Sequence, residues 1–261
     1  MVKMHALLDL AAMLAGACTG TASRPLTPAM RERLRAVQET PATAGAQIYE
    51  GRVFARDGRA EPLFRYERRV QNDGDTLTST HITRDPSGAV VVVQSAVHSP
   101  GYGLVTAEMI HGQTGVSASV AVSNGRATFT LREDESEKTA DEIVRDPVVA
   151  GPTMFGFILA HWDQLTNGAT IPIRFAVLER GETIGFVLDK ASDKDGRTII
   201  RMRPSSMLVR LAAATTYFQF DSVSRQIIEY TGRVPPLEHV NDRLETLDAR
   251  VQYTFVAPAF Q

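Results

Sequence analysis

The chain is poor in several things that would make its chemistry easy to read. A single cysteine, Cys18, stands among 261 residues. That leaves no thiol pair for a disulfide and no set of thiols for a zinc site. Neither sign of charge dominates: 28 basic side chains face 30 acidic ones, for a formal net charge of -2. Nucleic-acid binders carry a basic excess, so nucleic acid is excluded as a partner. The N-terminal apolar run, Ala6 to Ala17, has 12 residues, against the roughly 20 that a membrane-spanning helix requires. The motifs of nucleotide binding, serine and zinc hydrolysis and calcium binding are all missing. The expectation is therefore no catalytic residue, no cofactor and no metal. A composition of 43% hydrophobic and 22% charged residues excludes a disordered chain, a collagen and a coiled coil.

Lys3 supplies a short positive start, and the run ALLDLAAMLAGA follows it to Ala17. Length and charge suit a signal peptide. Ala15-Gly16-Ala17-Cys18 places small residues before a cysteine. This resembles the lipobox of bacterial lipoproteins, although Ala15 stands where that family has Leu and Asp9 interrupts the apolar run. The resemblance implies that Cys18 is lipidated and becomes the new N-terminus. Thr19 follows it, which implies an outer-membrane lipoprotein facing the periplasm, held to the membrane by its lipid anchor. Ala15-x-Ala17 also fits ordinary secretory cleavage and a soluble periplasmic protein, and the segment also reads as a cytosolic helix. The predicted organisation is a signal peptide over 1–17, a lipidated tether and short helix over 18–45, and one β-rich domain over 46–261.

Pro28 to Glu39 is predicted helical, with Met30, Leu34 and Val37 on one stripe. From Ala46 the period becomes two. Turn signals such as Asp57-Gly58, Asp85-Pro86-Ser87-Gly88 and Asn124-Gly125 separate seven strands up to Arg132. The clearest hairpin joins Val116–Ser123 to Ala127–Arg132. Glu133 to Asp146 holds seven acids and reads as a solvated crossover loop. Thr153 to Leu165 reads as one helix with Met154, Phe157, Ile158, Trp162 and Leu165 on its apolar stripe. A second meander begins at Ile171, includes Met207–Ala213, breaks at Val234-Pro235-Pro236 and closes with Ala249–Val256. About thirteen strands in one twisted sheet curl or close on themselves. The predicted fold is mainly β: a curled antiparallel sheet, a half-barrel or open barrel of two meanders, with one helix on its concave face. Together with the signal this resembles LolA/LolB-type lipoprotein carriers and related exported domains of unknown function. The resemblance implies a hydrophobic cavity for an acyl chain or other lipid.

The predicted function is a non-enzymatic cell-envelope lipoprotein that binds a hydrophobic small molecule, with Phe129, Phe157, Trp162 and Phe175 as ligand-binding residues. A scaffolding envelope protein with a filled core is the alternative, its protein partner unidentified. A lipid-acting enzyme would have to use His81, His111 or His161 as base. On a helix, His161 and Asp163 diverge, so the carboxylate cannot orient the ring. Arg52 and Arg56, and Arg65 and Arg69, would form a basic patch on the wet face if their strands pair. Val90 to Val93 reads as a strand buried on both faces, or as one lined by a lipid-like ligand.

Overall fold

The computed structural model describes residues 24–40, 46–72, 74–99, 101–133, 136–206 and 214–256. The predicted signal peptide, Cys18 and the strand Met207–Ala213 lie outside them.

The first meander runs through β1 (Gln47–Ala55), β2 (Phe64–Asn72), β3 (Leu77–Arg84), β4 (Val90–His98), β5 (Leu104–His111), β6 (Val116–Ser123), β7 (Arg126–Glu133) and β8 (Ser136–Ile143). The short β9 (Val148–Val149) and the helical segments follow. The second meander is β10 (Ile171–Val177), β11 (Glu182–Lys194), β12 (Arg197–Pro204), β13 (Thr216–Asp221), β14 (Ile227–Val240) and β15 (Arg243–Val256). Connections this short can only build antiparallel pairs. The described strands form one fifteen-stranded sheet, in which β1 pairs with β15 to join the meanders and β8 and β9 are the two edges. The pair β9–β10 is parallel. The sheet is curled and unclosed, as its strand pattern predicts.

Asn124 and Gly125 carry φ of 49° and 70° between β6 and β7, the positive pair that a two-residue turn needs. Asn241 and Asp242 do the same, at 48° and 62°, between β14 and β15. That hairpin replaces the predicted break at Val234-Pro235-Pro236. The two prolines sit in a bulge, where the register shifts between Val234 and Leu237, so their missing N–H groups cost no ladder bond. Gln113 from the β5–β6 turn takes over there: its amide accepts from Leu237 N at 2.9 Å and donates to Leu237 O at 2.8 Å.

The predicted acidic crossover loop is also corrected: Ser136–Ile143 is strand β8. Being an edge with both faces wet, it has no apolar alternation to betray it, and its charges discourage pairing with another chain. Arg132 bonds Glu137 at 2.7 Å and Thr128 bonds Asp141 at 2.6 Å across the ladder. At the seam between the two edges, Glu142 pairs with Arg174 and accepts from Thr183 N at 2.8 Å.

Helix α1 (Pro28–Glu39) is capped by Thr27 and buries Met30 and Leu34 on the convex side, against Ile82, Val90, Val93 and Ile110. Val92 faces the opposite, interior cluster with Ala96 and Met109. The valine run is thus covered on both faces. Inside the curl, the single predicted helix is a 3-10 turn (Gly151–Thr153) followed by α2 (Met154–Ala160) and α3 (Trp162–Thr166). The break falls at His161, whose φ and ψ of -108° and 17° leave the helical region. Its Nδ1 lies 2.9 Å from Phe157 O and its ring stacks on Phe157. Every residue from Met154 to Ile158 is buried, as in a helix enclosed on all sides. Gly156 is required there: a Cβ would lie 1.6 Å from the ring of Tyr102, in the β4–β5 turn. The helices pack on the second meander, with Ile173, Leu188, Ile200, Phe218 and Phe220. Phe129 belongs instead to a separate cluster inside the first meander.

Candidate functional site

Beside the helices the concavity keeps a cavity of about 240 Å³, near the lower edge of the roughly 300–1,000 Å³ of small-molecule sites. Its apolar wall is aromatic. Phe155 comes from α2, and Phe175, Phe186, Phe218, Tyr230 and Tyr253 come from inward positions of β10, β11, β13, β14 and β15. Arg233 and Asp248 also line it and neutralise each other, with Nε–Oδ1 at 2.8 Å. Glu179, in the β10–β11 turn, lines it too. Its side chain keeps an exposed surface, although protein atoms crowd the carboxyl from several sides. The protein around it desolvates the carboxyl and raises its pKa.

The remaining wall is polar and comes from β2 to β4. Alternation in β2 turns Phe64, Tyr66, Arg68 and Val70 inward. In register, Arg68 stands opposite His81 and His81 opposite Gln94. The Tyr66 hydroxyl makes a short hydrogen bond to His81 Nδ1. Burial pushes the phenol well above its ordinary value. Burial, then the nearby Arg68 cation, holds the imidazole well below 6.5. Both groups are thus neutral near pH 7, so Tyr66 donates, Nδ1 accepts and His81 Nε2 carries the hydrogen. That Nε2 is buried and has no partner. A neutral phenol on a weakly basic imidazole is not a poised general base.

Arg68 is only 4% exposed. Its guanidinium lies over the rings of Tyr49 and Phe155, at 5.6 Å and 5.5 Å. Among the described residues its one hydrogen bond, to Pro152 O, is long at 3.5 Å, and its Nε has no partner. The adjacent carboxylate, Glu67, turns to the outer face, where it pairs with Arg69 at 2.5 Å.

Of the predicted ligand-binding residues, Phe175 lines the cavity. Phe157 and Trp162 are packed in the adjoining core, at 2% and 5% exposure, with Trp162 edge-on to Phe220 at 5.4 Å. Phe129 does not line the cavity and packs in the cluster dominated by the first meander. Sequence reasoning missed Arg68 and the aromatic residues on β2, β11 and β13 to β15. Their inward parity was the available signal. Of the candidate bases, His111 bonds Pro235 O through Nε2 at 3.0 Å, and Asp163 pairs with Arg225 rather than His161. Among the described residues no three metal-ligating groups cluster. On the outer face Arg52 stands opposite Arg65, as the patch requires, but Arg69 is neutralised by Glu67.

No family model and no curated protein matches the chain. Among solved structures it is similar to a β-barrel-like protein of domain of unknown function DUF1849 from Brucella abortus, at 10% identity, 81% coverage of this chain, 94% of that one and a TM-score of 0.46. It is also similar to a protein described as an outer membrane lipoprotein-sorting domain from Vibrio parahaemolyticus, at 7% identity, 89% and 93% coverage and a TM-score of 0.23. At these TM-scores neither likeness bears on the site, which rests on this chain's own residues.

Proposed function

We propose that the chain is a cell-envelope protein that binds a hydrophobic small molecule inside its curled sheet. The observation that carries this reading is the aromatic-walled space of about 240 Å³ beside α2, since dry apolar concavities are where hydrophobic ligands go. Acylation of Cys18 would tether it. Arg24 pairs with Glu133 at 3.2 Å and α1 covers the convex face, so the chain reaches the sheet on the side away from the cavity. No helix among the described residues is long and apolar enough to cross a membrane.

The scaffold reading has its own support. Phe157, Ile158, Trp162 and Leu165 are all buried and fill the concavity next to β10–β13. One comparison separates the two. The full chain, purified from envelopes, is extracted and its small molecules are identified by mass spectrometry, and uptake of an uncharged fluorescent probe is titrated for it and for Met202→Trp. A ligand carrier releases a hydrophobic compound and loses probe uptake when the indole fills the cavity. Absence of both compound and uptake refutes the carrier. Release of the Cys18→Ser protein from the membrane fraction tests the tether.

A further inference from the structure

The reading of the cavity as a hydrophobic binding site leaves its polar wall unexplained. Arg68 and His81 face each other across β2 and β3. Each has a buried nitrogen without a partner, Arg68 Nε and His81 Nε2. Both nitrogens are donors, and the row holds no acceptor of matching charge. Glu50, on the neighbouring strand, is exposed, and Glu67 is engaged with Arg69. Aromatic faces from Tyr49 and Phe155 offset part of the cost of burying the guanidinium, but they supply no counter-charge. A buried cation and a buried N–H donor side by side, on the edge of an aromatic cavity, are complementary to a ligand oxygen that carries negative charge.

We propose that Arg68 and His81 are the head-group subsite of the cavity, and that its ligand is a single-chain amphiphile with an anionic head, carboxylate or phosphate. The head accepts from His81 Nε2, which lines the cavity, and from the Arg68 guanidinium. Arg68 itself does not line the cavity: the Phe155 ring lies over its guanidinium and lines the cavity in its place, so the proposal requires Phe155 to turn aside when the head group binds. The tail runs along Phe175, Phe186 and Phe218. The arginine's planar fork matches either oxyanion, and its charge persists where a lysine would lose its proton.

The test compares decanoate, decyl phosphate and decanol by calorimetry on the delipidated full chain. Charge-assisted hydrogen bonds predict that at least one anion binds about tenfold or more tightly than the alcohol. The tighter of the two anions identifies the head group as carboxylate or phosphate. Arg68→Met is expected to erase that advantage while leaving decanol within about twofold, since the tail contacts are untouched. Equal binding of acid, phosphate and alcohol to the unmodified protein overturns the anion subsite and leaves the apolar cavity standing. Preference for an anion that persists in Arg68→Met overturns the assignment to Arg68. Binding of none of the three overturns both the subsite and the ligand-binding reading beneath it. If Arg68→Met fails to fold, the ranking in the unmodified protein still decides.

Discussion

Trp162 is the residue whose replacement most directly tests how the concavity is divided. It is 5% exposed, edge-on to Phe220, with the Arg225 guanidinium 5.6 Å over its ring, and it does not line the cavity. An indole buries about 150–250 Å². At roughly 25 cal/mol per Å² that is about 4–6 kcal/mol as an upper bound. The contact with Phe220 adds about 0.5–1.5 kcal/mol. Half-exposed Arg225 adds little, about 0.5 kcal/mol. Partial collapse of the hole returns some of this, so Trp162→Ala is expected to cost about 3–5 kcal/mol, as large core truncations do. For a chain of this size that lowers Tm by about 6–20 °C. Trp162 is the only tryptophan, so unfolding is followed by circular dichroism rather than intrinsic fluorescence. Probe uptake measured well below Tm is expected to stay unchanged. A loss below about 1 kcal/mol, which is what an ordinary substitution costs, or a loss of uptake with Tm preserved, refutes the placement of Trp162 in the core.

Three further perturbations probe other parts of the structure. Gly156→Ala drives a methyl into the ring of Tyr102 and is expected to cost about 1–3 kcal/mol, as overpacking does; the double variant with Tyr102→Ala should recover part of that, and a simple addition of the two costs would contradict the contact. Glu142→Gln removes the charge that joins Arg174 and Thr183 across the seam. With both side chains 28% exposed the expected cost is about 1–2 kcal/mol, accompanied by faster hydrogen exchange in β8, and unchanged exchange there would refute the seam. His81 and His111 are both held below 6.5 by burial, so on acidification the unfolded chain takes up their protons first. Their contribution is full above about pH 6.5 and drains as pH falls toward the depressed folded values, by at most about 1.4 kcal/mol per pH unit per group. Glu179, raised by burial above 4.5, acts with the opposite sign from its folded value down to 4.5. His81→Phe should flatten the slope between pH 7 and 5, and a slope equal to that of the parent protein would show that His81 is not held neutral.

What the sequence conveyed well was whatever obeys a period. β6 begins and ends where alternation and the Asn124-Gly125 turn placed it, at Val116–Ser123, because Ala118 and Val120 turn to the buried face. Helix α1 likewise spans Pro28–Glu39, fixed by its cap and its stripe. The elements it concealed are those where the physical reason for a pattern is absent. β8 is wet on both faces, so it carries acids instead of alternation, and only its ladder to β7 reveals a strand. β14 runs through two prolines because a bulge excuses their missing donors, and nothing local announces that Gln113, far away in the chain, will satisfy the bulge. The helix break at His161 is a tertiary matter as well: an apolar stripe reads the same whether the helix is straight or kinked.

The candidate site was hidden for a related reason. Large apolar residues at inward positions can as well fill a core as line a space, and the sequence pattern is identical in the two cases. Phe157, Phe175 and Trp162 looked equivalent, yet of the three only Phe175 meets the cavity, while Phe157 and Trp162 are packed into the adjoining core. The more informative signal was a violation. In β2 the inward parity of Phe64, Tyr66 and Val70 also claims Arg68, and in β3 the parity of Ser79 and Thr83 claims His81. A cation placed where alternation demands an apolar group costs stability unless something answers it. Departures of this kind mark places where structure is set by something other than packing. Here that departure falls opposite His81 in one register, with His81 lining the aromatic space and Arg68 behind the Phe155 ring that also lines it. At Arg68, between Tyr66 and Val70, a strand selected for packing alone would carry an apolar side chain. That an arginine stands there instead, opposite His81, is the physical reason to read this wall as built to meet a charged ligand atom.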